Sequence, residues 1–370
     1  MKTLNIMAQI IKWFIALVFT LFALATFMGH NYAQTIVIIA IVIILFYWPD
    51  FINKQLGRLF SVILRIIVII TIFSLNITVL SSGTKNTIYS SAVNKQKLIE
   101  TYNNKLKDWP ADTKDIYINT EYGNVHILTC GSPENPPLVL LHAASMGAHS
   151  WAENLSPLIE KYCIYAIDNI GEGNKSTLND ATFFPASGKD LADLYSLLFD
   201  SLKIQCATVF GASNGGFIAQ VLAFYHPEKV ESLLLFGPMG LTQLSKGSIF
   251  MMSVGSMYPF KFIRKAVTHW AIGHDNYCNQ KYGDWFDIII QGTIPSIAQP
   301  VPMTKFQKEK IKIPVVLFLG SNDPIVGNAE LAKKAAMDYP DVRVEILESG
   351  HLIAVEKRNY INDKLYEILK

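Results

Sequence analysis

Charged residues are scarce in this chain of 370 residues. Asp, Glu, Lys and Arg make up 17% of it, whereas a typical soluble domain contains about a quarter. Hydrophobic residues make up 51%, and their excess lies in the first 80 residues. The net charge is only +2, and the sequence has no basic stripe with interleaved aromatic residues. We therefore expect no nucleic-acid partner.

Cysteine is also rare, and the four cysteines are far apart without a CxxC pair. The sequence therefore indicates no metal site and no redox motif, and we expect no cofactor. Cys163 and Cys206 lie in or beside apolar runs, so we expect them to be buried free thiols rather than a disulfide or reactive thiols. The cysteines are Cys130, Cys163, Cys206 and Cys278.

Three long apolar runs open the chain, at residues 13–28, 35–48 and 59–80. A helix that crosses a bilayer needs about 20 residues. The third run is long enough, the first becomes so when residues 6–12 are included, and the second is short. A cleaved signal peptide is not normally followed at once by two such runs. We therefore expect residues 1–80 to form a multi-pass anchor of transmembrane helices, with three crossings favoured over two.

Positive charges near the ends of these runs predict the orientation of the anchor. Lys2 and Lys12 flank the first run, and Lys54 and Arg58 lie in the loop before the third. Three crossings then place the N-terminus in the cytoplasm and the rest of the chain outside it, whereas two crossings place the rest of the chain in the cytoplasm. The polar stretch 81–110 is expected to be a linker or a short helix.

Apolar runs alternate with helical stretches from residue 115 onward, and we assign residues 111–370 to one domain. Near-continuous apolar strands are typical of a parallel sheet that is buried on both faces. The alternation predicts an α/β fold with a mostly parallel sheet and helices on both faces. In such sheets the active site lies beyond the carboxyl ends of the strands. After a hairpin over 116–129, the predicted strands are 137–141, 162–167, 207–210, 232–236, 314–320 and 342–347.

One serine lies in a motif that is typical of a sharp turn between a strand and a helix. Residues 211–215 read Gly-Ala-Ser-Asn-Gly, which is G-x-S-x-G between a predicted strand and a predicted helix. This sharp turn lifts the Ser213 hydroxyl above the sheet at the start of the helix, where the helix dipole favours negative charge. The motif predicts that Ser213 is a catalytic nucleophile, and the alternative is a purely structural turn.

A serine hydroxyl needs a base to become a good nucleophile. His351 follows the last predicted strand, 342–347, and is the expected base; a helix-capping histidine is the alternative. Asp323 follows the strand 314–320 and is expected to orient the imidazole. The strand 232–236 has no carboxylate at its end. The chain order Ser, Asp, His is that of one class of serine hydrolases.

An oxyanion hole requires two backbone donors. We expect the amide of Asn214, directly after the nucleophile, to be one of them. The loop that follows the strand 137–141 should supply the other, and Ala144 is the predicted donor. His142, at the start of this loop, is expected to support the loop rather than to transfer protons.

These motifs together resemble the α/β-hydrolase superfamily, and more closely its small bacterial carboxylesterase-like members. The resemblance covers about residues 115–370, roughly two thirds of the chain. It implies a triad of Ser213, Asp323 and His351 that acts without a cofactor. One departure is His142-Ala143, where the family usually has His-Gly. The stretches that carry the resemblance are 140–144, 168–176, 211–216, 320–326 and 350–351.

The resemblance also implies a helical cap at about 241–311, between two late strands, although an amphipathic core explains the same apolar character. We expect hydrolysis of a small-molecule or lipid-like carboxylic ester. Cleavage of an amide, thioester or carbon–carbon bond by the same triad is the alternative, as is a non-catalytic membrane-tethered binding protein. The oligomeric state is left open. The apolar residues of this segment include Met251, Met252, Tyr258, Phe260, Trp270, Trp285 and Phe286.

Overall fold

The computed structural model of this chain describes residues 87–244, 247–248, 251, 261–272 and 275–369. The chain divides into two units, Met1–Gly83 and Thr84–Lys370, and every described residue lies in the second. The predicted membrane anchor over residues 1–80 therefore lies outside the described residues. Among the described helices, none combines the length and the apolar character that a bilayer crossing requires.

A mixed, mostly parallel sheet forms the centre of the described unit. The strand order is β1-β2-β4-β3-β6-β7-β8-β9, and the short β5 pairs with β2. β1 and β2 form the predicted antiparallel hairpin, β2 pairs antiparallel with β4, and the strands from β4 to β9 in this order are parallel. The strands are β1 Lys114–Asn119, β2 Gly123–Cys130, β3 Pro137–Leu141, β4 Cys163–Ile167, β5 Thr177–Leu178, β6 Ala207–Ala212, β7 Val230–Phe236, β8 Val315–Gly320 and β9 Val342–Leu347.

Helices cover both faces of this sheet, as the alternation of strands and helices predicts. Side chains alternate along a strand, and β3 accordingly divides between two cores: Val139 joins one cluster and Leu138 the other. The first cluster includes α2, α3 and α7, and the second includes α8, α9 and a 3-10 helix, Ala148–Asn154. The helices are α1 Ala92–Lys105, α2 Gly188–Ser201, α3 Asn214–Tyr225, α4 Lys261–Ile272, α5 Asn276–Gly292, α6 Lys305–Lys310, α7 Ala329–Ala336, α8 Ile353–Glu356 and α9 Arg358–Ile368.

Helix α1 lies within the stretch 81–110, for which the sequence indicates a linker or a short helix. Ser91 caps its N-terminus by accepting a hydrogen bond from an amide of the first turn. Its buried residues, Leu98 and Tyr102, join a third core cluster that also contains Trp285 of α5. The packed body therefore begins before residue 111.

The segment between β7 and β8 contains α4, α5 and α6 and corresponds to the predicted insertion at 241–311. Trp285 of α5 donates a hydrogen bond from Nε1 to the carbonyl of Ser145, at 2.9 Å. Helix α5 therefore contacts the loop that follows β3. Part of the insertion, including Met252, Tyr258 and Phe260, lies outside the described residues.

The four cysteines are free thiols, and three of them, Cys130, Cys163 and Cys278, are buried. Cys206 is exposed, so the expectation of a buried thiol is wrong there. Its position explains the difference, because Cys206 lies in the connection between α2 and β6 and precedes the first residue of the strand.

Candidate active site

Ser213 lies at the sharp turn between β6 and α3. Its φ of 50° and ψ of −114° are unusual for a residue with a side chain, and such a conformation costs roughly 1–3 kcal/mol. The Ser213 amide donates to the carbonyl of Phe236 at 3.0 Å, and its carbonyl accepts from Met239 at 2.9 Å. A Cβ on Gly215 would lie 2.2 Å from the carbonyl oxygen of Leu141. The turn therefore requires glycine at position 215.

Asp323 and His351 are joined directly. Asp323 Oδ2 lies 2.7 Å from His351 Nδ1, while Asp323 Oδ1 accepts hydrogen bonds from the amides of Ile325 and Val326 at 2.8 and 3.0 Å. A carboxylate only accepts, so the imidazole proton lies on Nδ1 and Nε2 keeps a free lone pair. Gly237 allows this approach, because a Cβ there would lie 3.1 Å from Asp323 Oδ2.

Ser213 and His351 line the same cavity. No hydrogen bond joins their side chains within the described part of the chain, and such bonds are often long in ligand-free enzymes. The other walls are mostly apolar and come from the loop after β3, the 3-10 helix, the end of β7 and α8. They include Ala143, Met146, Trp151, Asn154, Phe236 and Ile353.

The two predicted oxyanion donors lie on segments that touch each other. Asn214 is the first residue of α3, and amides in the first turn of a helix have no acceptor within it. Ala144 lies in the loop after β3, just before Ser145, whose φ is 60°. This loop begins against the start of α3, since the ideal Cβ of Gly215 lies 2.6 Å from the carbonyl oxygen of His142.

A buried glutamate, which the sequence analysis did not select, connects these two segments. Glu172 Oε2 accepts a hydrogen bond from the amide of Ser145 at 3.0 Å, and Oε1 accepts one from Asn214 Nδ2 at 2.8 Å. Asn169 Nδ2 lies 3.4 Å from Oε1. Burial raises the pKa of Glu172 to about 8, although these hydrogen bonds oppose the rise. One carboxyl group thus holds the loop after β3 against the residue that follows Ser213.

His142 supports the same loop, as the sequence predicts. Its Nε2 accepts a hydrogen bond from the amide of Asn169 at 2.9 Å, so the proton lies on Nδ1, which donates to the carbonyl of Ala143 at 2.8 Å. Burial lowers the pKa of His142 below its ordinary value. The imidazole is therefore neutral and has a structural part in this loop.

Asp168, directly after β4, stabilises the same loop after β3. Its Oδ1 accepts a hydrogen bond from the amide of Ala148 at 2.7 Å, and its Oδ2 lies 2.7 Å from His126 Nδ1. Burial opposes its ionisation, but the contact with His126 holds the pKa of Asp168 below its usual range. The position of Asp168 directly after a buried strand is the sequence signal for this residue. For Glu172, the signal is a charged residue between two glycines, Gly171 and Gly173, in the loop that follows the same strand. Within the described residues, no group of three or more His, Cys, Asp or Glu side chains is arranged to hold a metal ion.

Several known proteins with similar sequences are named as hydrolases. A family model described as alpha/beta hydrolase fold matches residues 136–267. The carboxylesterase nap of Bacillus subtilis, itself called uncharacterized, is 27% identical over 287 residues, which are 72% of this chain and 90% of that protein. The carboxylesterase YbfK of the same organism is 25% identical over 291 residues, 74% of this chain and 93% of that protein.

Solved structures show the same fold. The naproxen esterase of Bacillus subtilis superposes with a TM-score of 0.70 at 24% identity, over 76% of this chain and 100% of that one. The carboxylesterase CesB (YbfK) of Bacillus subtilis superposes with a TM-score of 0.69 at 22% identity, over 75% of this chain and 99% of that one. Together with the strand order and the turn at Ser213, these matches show that the chain is an enzyme with the α/β-hydrolase fold.

Proposed function

We propose that this enzyme hydrolyses carboxylic esters through an acyl-enzyme on Ser213, with His351 as base and Asp323 as the residue that orients it. One observation carries the proposal: Ser213, held in a strained turn, shares a cavity with a histidine whose Nδ1 is bonded to a buried carboxylate. The carboxylesterase names of two relatives support ester cleavage over other reactions of the same triad.

In the first half of the reaction, Ser213 Oγ attacks the ester carbonyl and His351 Nε2 takes the hydroxyl proton. Asp323 stabilises the positive imidazolium and keeps it in the tautomer that leaves Nε2 free. The amides of Asn214 and Ala144 donate hydrogen bonds to the carbonyl oxygen and stabilise the negative charge that develops on it. His351 then returns the proton to the leaving alcohol, and the acyl group remains on Ser213.

In the second half, a water molecule takes the place of the alcohol. His351 removes a proton from it, the resulting oxygen attacks the acyl carbonyl, and Ser213 leaves with the proton from His351. The apolar walls of the cavity favour an apolar group next to the reacting carbonyl. Helix α5, which contacts the loop with Ala143 and Met146, acts as part of a cap over this cavity.

Labelling with a fluorophosphonate probe tests the nucleophile. We expect the full-length chain to be labelled and to hydrolyse 4-nitrophenyl esters, and Ser213→Ala to abolish both activities. Asp323→Asn should lower kcat by several orders of magnitude and change KM much less. Ser132→Ala, which alters an exposed serine, is the matched control. Activity of Ser213→Ala within tenfold of the parent would remove Ser213 from the mechanism.

We also propose that the enzyme is anchored in a membrane by residues 1–80, with the hydrolase unit on the outer face. The three apolar runs support the anchor, and the positions of Lys2, Lys12, Lys54 and Arg58 support the orientation. Such an anchor would give the enzyme access to lipid-like esters as well as to small dissolved ones.

Protease added to intact spheroplasts tests this topology, with an affinity tag at the C-terminus of the chain. We expect the tag to be lost while a cytoplasmic marker protein stays intact. A tag that stays protected until the membrane is broken would contradict the outward orientation and would favour two crossings.

A further inference from the structure

Two polar side-chain atoms of residues that line the Ser213 cavity are buried and have no hydrogen-bond partner within the described residues. They are the indole Nε1 of Trp151 and the amide oxygen Oδ1 of Asn154. The two residues are 3% and 1% exposed, and both line the cavity together with Ser213 and His351. Buried polar groups in native proteins are nearly always hydrogen-bonded, so these two atoms indicate a missing partner.

The two residues belong to the same short element. Trp151 and Asn154 are three residues apart in the 3-10 helix Ala148–Asn154, and side chains at this spacing lie one above the other in a 3-10 helix. They therefore place a donor and an acceptor on one side of one helix, in two residues that line the same cavity.

The orientation of the Asn154 amide is determined by its other bonds. Its Nδ2 donates to the carbonyl of Ala354 at 3.0 Å and to Asn362 Oδ1 at 2.9 Å. Both partners are acceptors, so the amide cannot turn over without losing both bonds. Oδ1 is therefore the unpaired atom and can only accept. The indole Nε1 can only donate, and the Trp151 ring is held against Phe210 and Phe236.

A hydroxyl group satisfies both atoms at once, because it accepts one hydrogen bond and donates another. An ether or carbonyl oxygen would pair with Trp151 alone. We propose that the cavity binds an apolar portion of the ester that carries a hydroxyl group, which accepts a hydrogen bond from Trp151 Nε1 and donates one to Asn154 Oδ1. This inference rests on the proposed ester hydrolysis at Ser213 and names the class of ester: hydroxylated, and otherwise apolar.

A panel of esters tests the inference in the full-length parent chain. The panel comprises 4-nitrophenyl hexanoate and its 3-, 5- and 6-hydroxy derivatives, with the corresponding methoxy compounds. A second pair, phenyl and hydroxyphenyl hexanoate, carries the hydroxyl on the alcohol half. We expect kcat/KM for at least one hydroxylated ester to exceed that of its unsubstituted counterpart by about tenfold or more. The methoxy compound should fall between the two.

Two tryptophan variants form a matched pair for this panel. Trp151→Phe keeps an aromatic ring but removes the donor, so the preference for the hydroxylated ester should fall to about threefold or less. Trp109→Phe is the control, because Trp109 Nε1 is buried and already donates to the carbonyl of His149 at 3.1 Å, and Trp109 does not line the cavity. The preference of Trp109→Phe for the hydroxylated ester should equal that of the parent.

The outcomes separate this inference from the proposed function. If the parent is labelled by the fluorophosphonate probe and hydrolyses the hexanoate, yet prefers no hydroxylated ester, a water molecule holds the two atoms and the inference is wrong. A preference that persists unchanged in Trp151→Phe overturns it as well. If no probe labelling and no ester turnover occur, the proposed function itself fails, and the inference fails with it.

Discussion

Glu172 gives this enzyme a pH dependence of stability that one substitution should remove. Its carboxyl is fully buried, and its pKa is raised from 4.5 to about 8. The folded state therefore holds a proton that the unfolded state has already released between these two values, and stability falls as the pH rises through this window. Integrated from pH 5 to pH 9, the loss in the free energy of unfolding is about 4 kcal/mol.

Glu172→Gln should flatten this dependence. The glutamine is neutral at every pH and keeps an oxygen that accepts from the amide of Ser145. Its NH₂ group would face Asn214 Nδ2, so the Asn214 amide must turn over and present Oδ1, which has no partner among the described residues. The free energy of unfolding of the variant should therefore be close to that of the parent at pH 5 and exceed it by about 4 kcal/mol at pH 9.

Urea denaturation of the full-length chain in detergent, followed by tryptophan fluorescence at pH 5, 7 and 9, measures this difference. Glu121→Gln is the control, because Glu121 is exposed, and its curve should run parallel to that of the parent. If the curve of Glu172→Gln also runs parallel to that of the parent, within about 1 kcal/mol at each pH, the buried carboxyl does not have the raised pKa on which this prediction rests.

Three further predictions concern other parts of the chain. Combining His351→Ala with Ser213→Ala should lower kcat scarcely further than either change alone, because the groups act as a unit; additive losses in double-mutant kinetics would contradict a shared triad. Burial lowers the pKa of His149 to about 3, so the parent loses stability as the pH falls below 6.5. His149→Phe should restore roughly 2–3 kcal/mol at pH 4.5, and equal urea midpoints there would contradict this. A chain that begins at Thr84 should fold. A chain that begins at Ala111 lacks α1, and its free energy of unfolding should fall by more than the roughly 3–5 kcal/mol that the deletion of one core aromatic side chain costs. Similar thermal midpoints of the two chains would show that α1 is dispensable.

The sequence predicts the sheet well because its parallel strands are buried on both faces. A run such as 137–141 is apolar at every position, and its short length between turn signals favours a buried strand over a helix. The turn at Ser213 is equally visible, since its geometry requires glycine at a fixed distance from the serine. These features depend on local sequence alone.

Other features depend on contacts between distant segments and leave little trace in the sequence. Helix α1 is mostly polar, and only Leu98 and Tyr102 are buried, so its packing against α5 has no clear periodic signal. Trp151 and Asn154 look like ordinary residues of a loop. Their importance depends on the absence of partners in a cavity whose opposite walls lie up to 200 residues away in the chain.

The strained turn at Ser213 also limits how the sequence of this enzyme can vary. A methyl group at position 215 would collide with the carbonyl of Leu141 at 2.2 Å, and one at position 237 would press on Asp323. Gly215 cannot be exchanged without moving the backbone, and a side chain at Gly237 would displace the Asp323 carboxylate and adopt a strained positive φ. The cavity walls have no such restriction, since Trp151 and Ile353 contribute side chains rather than backbone to the space. Substitutions that alter substrate preference should therefore accumulate in the 3-10 helix and after His351, while the turn itself stays fixed.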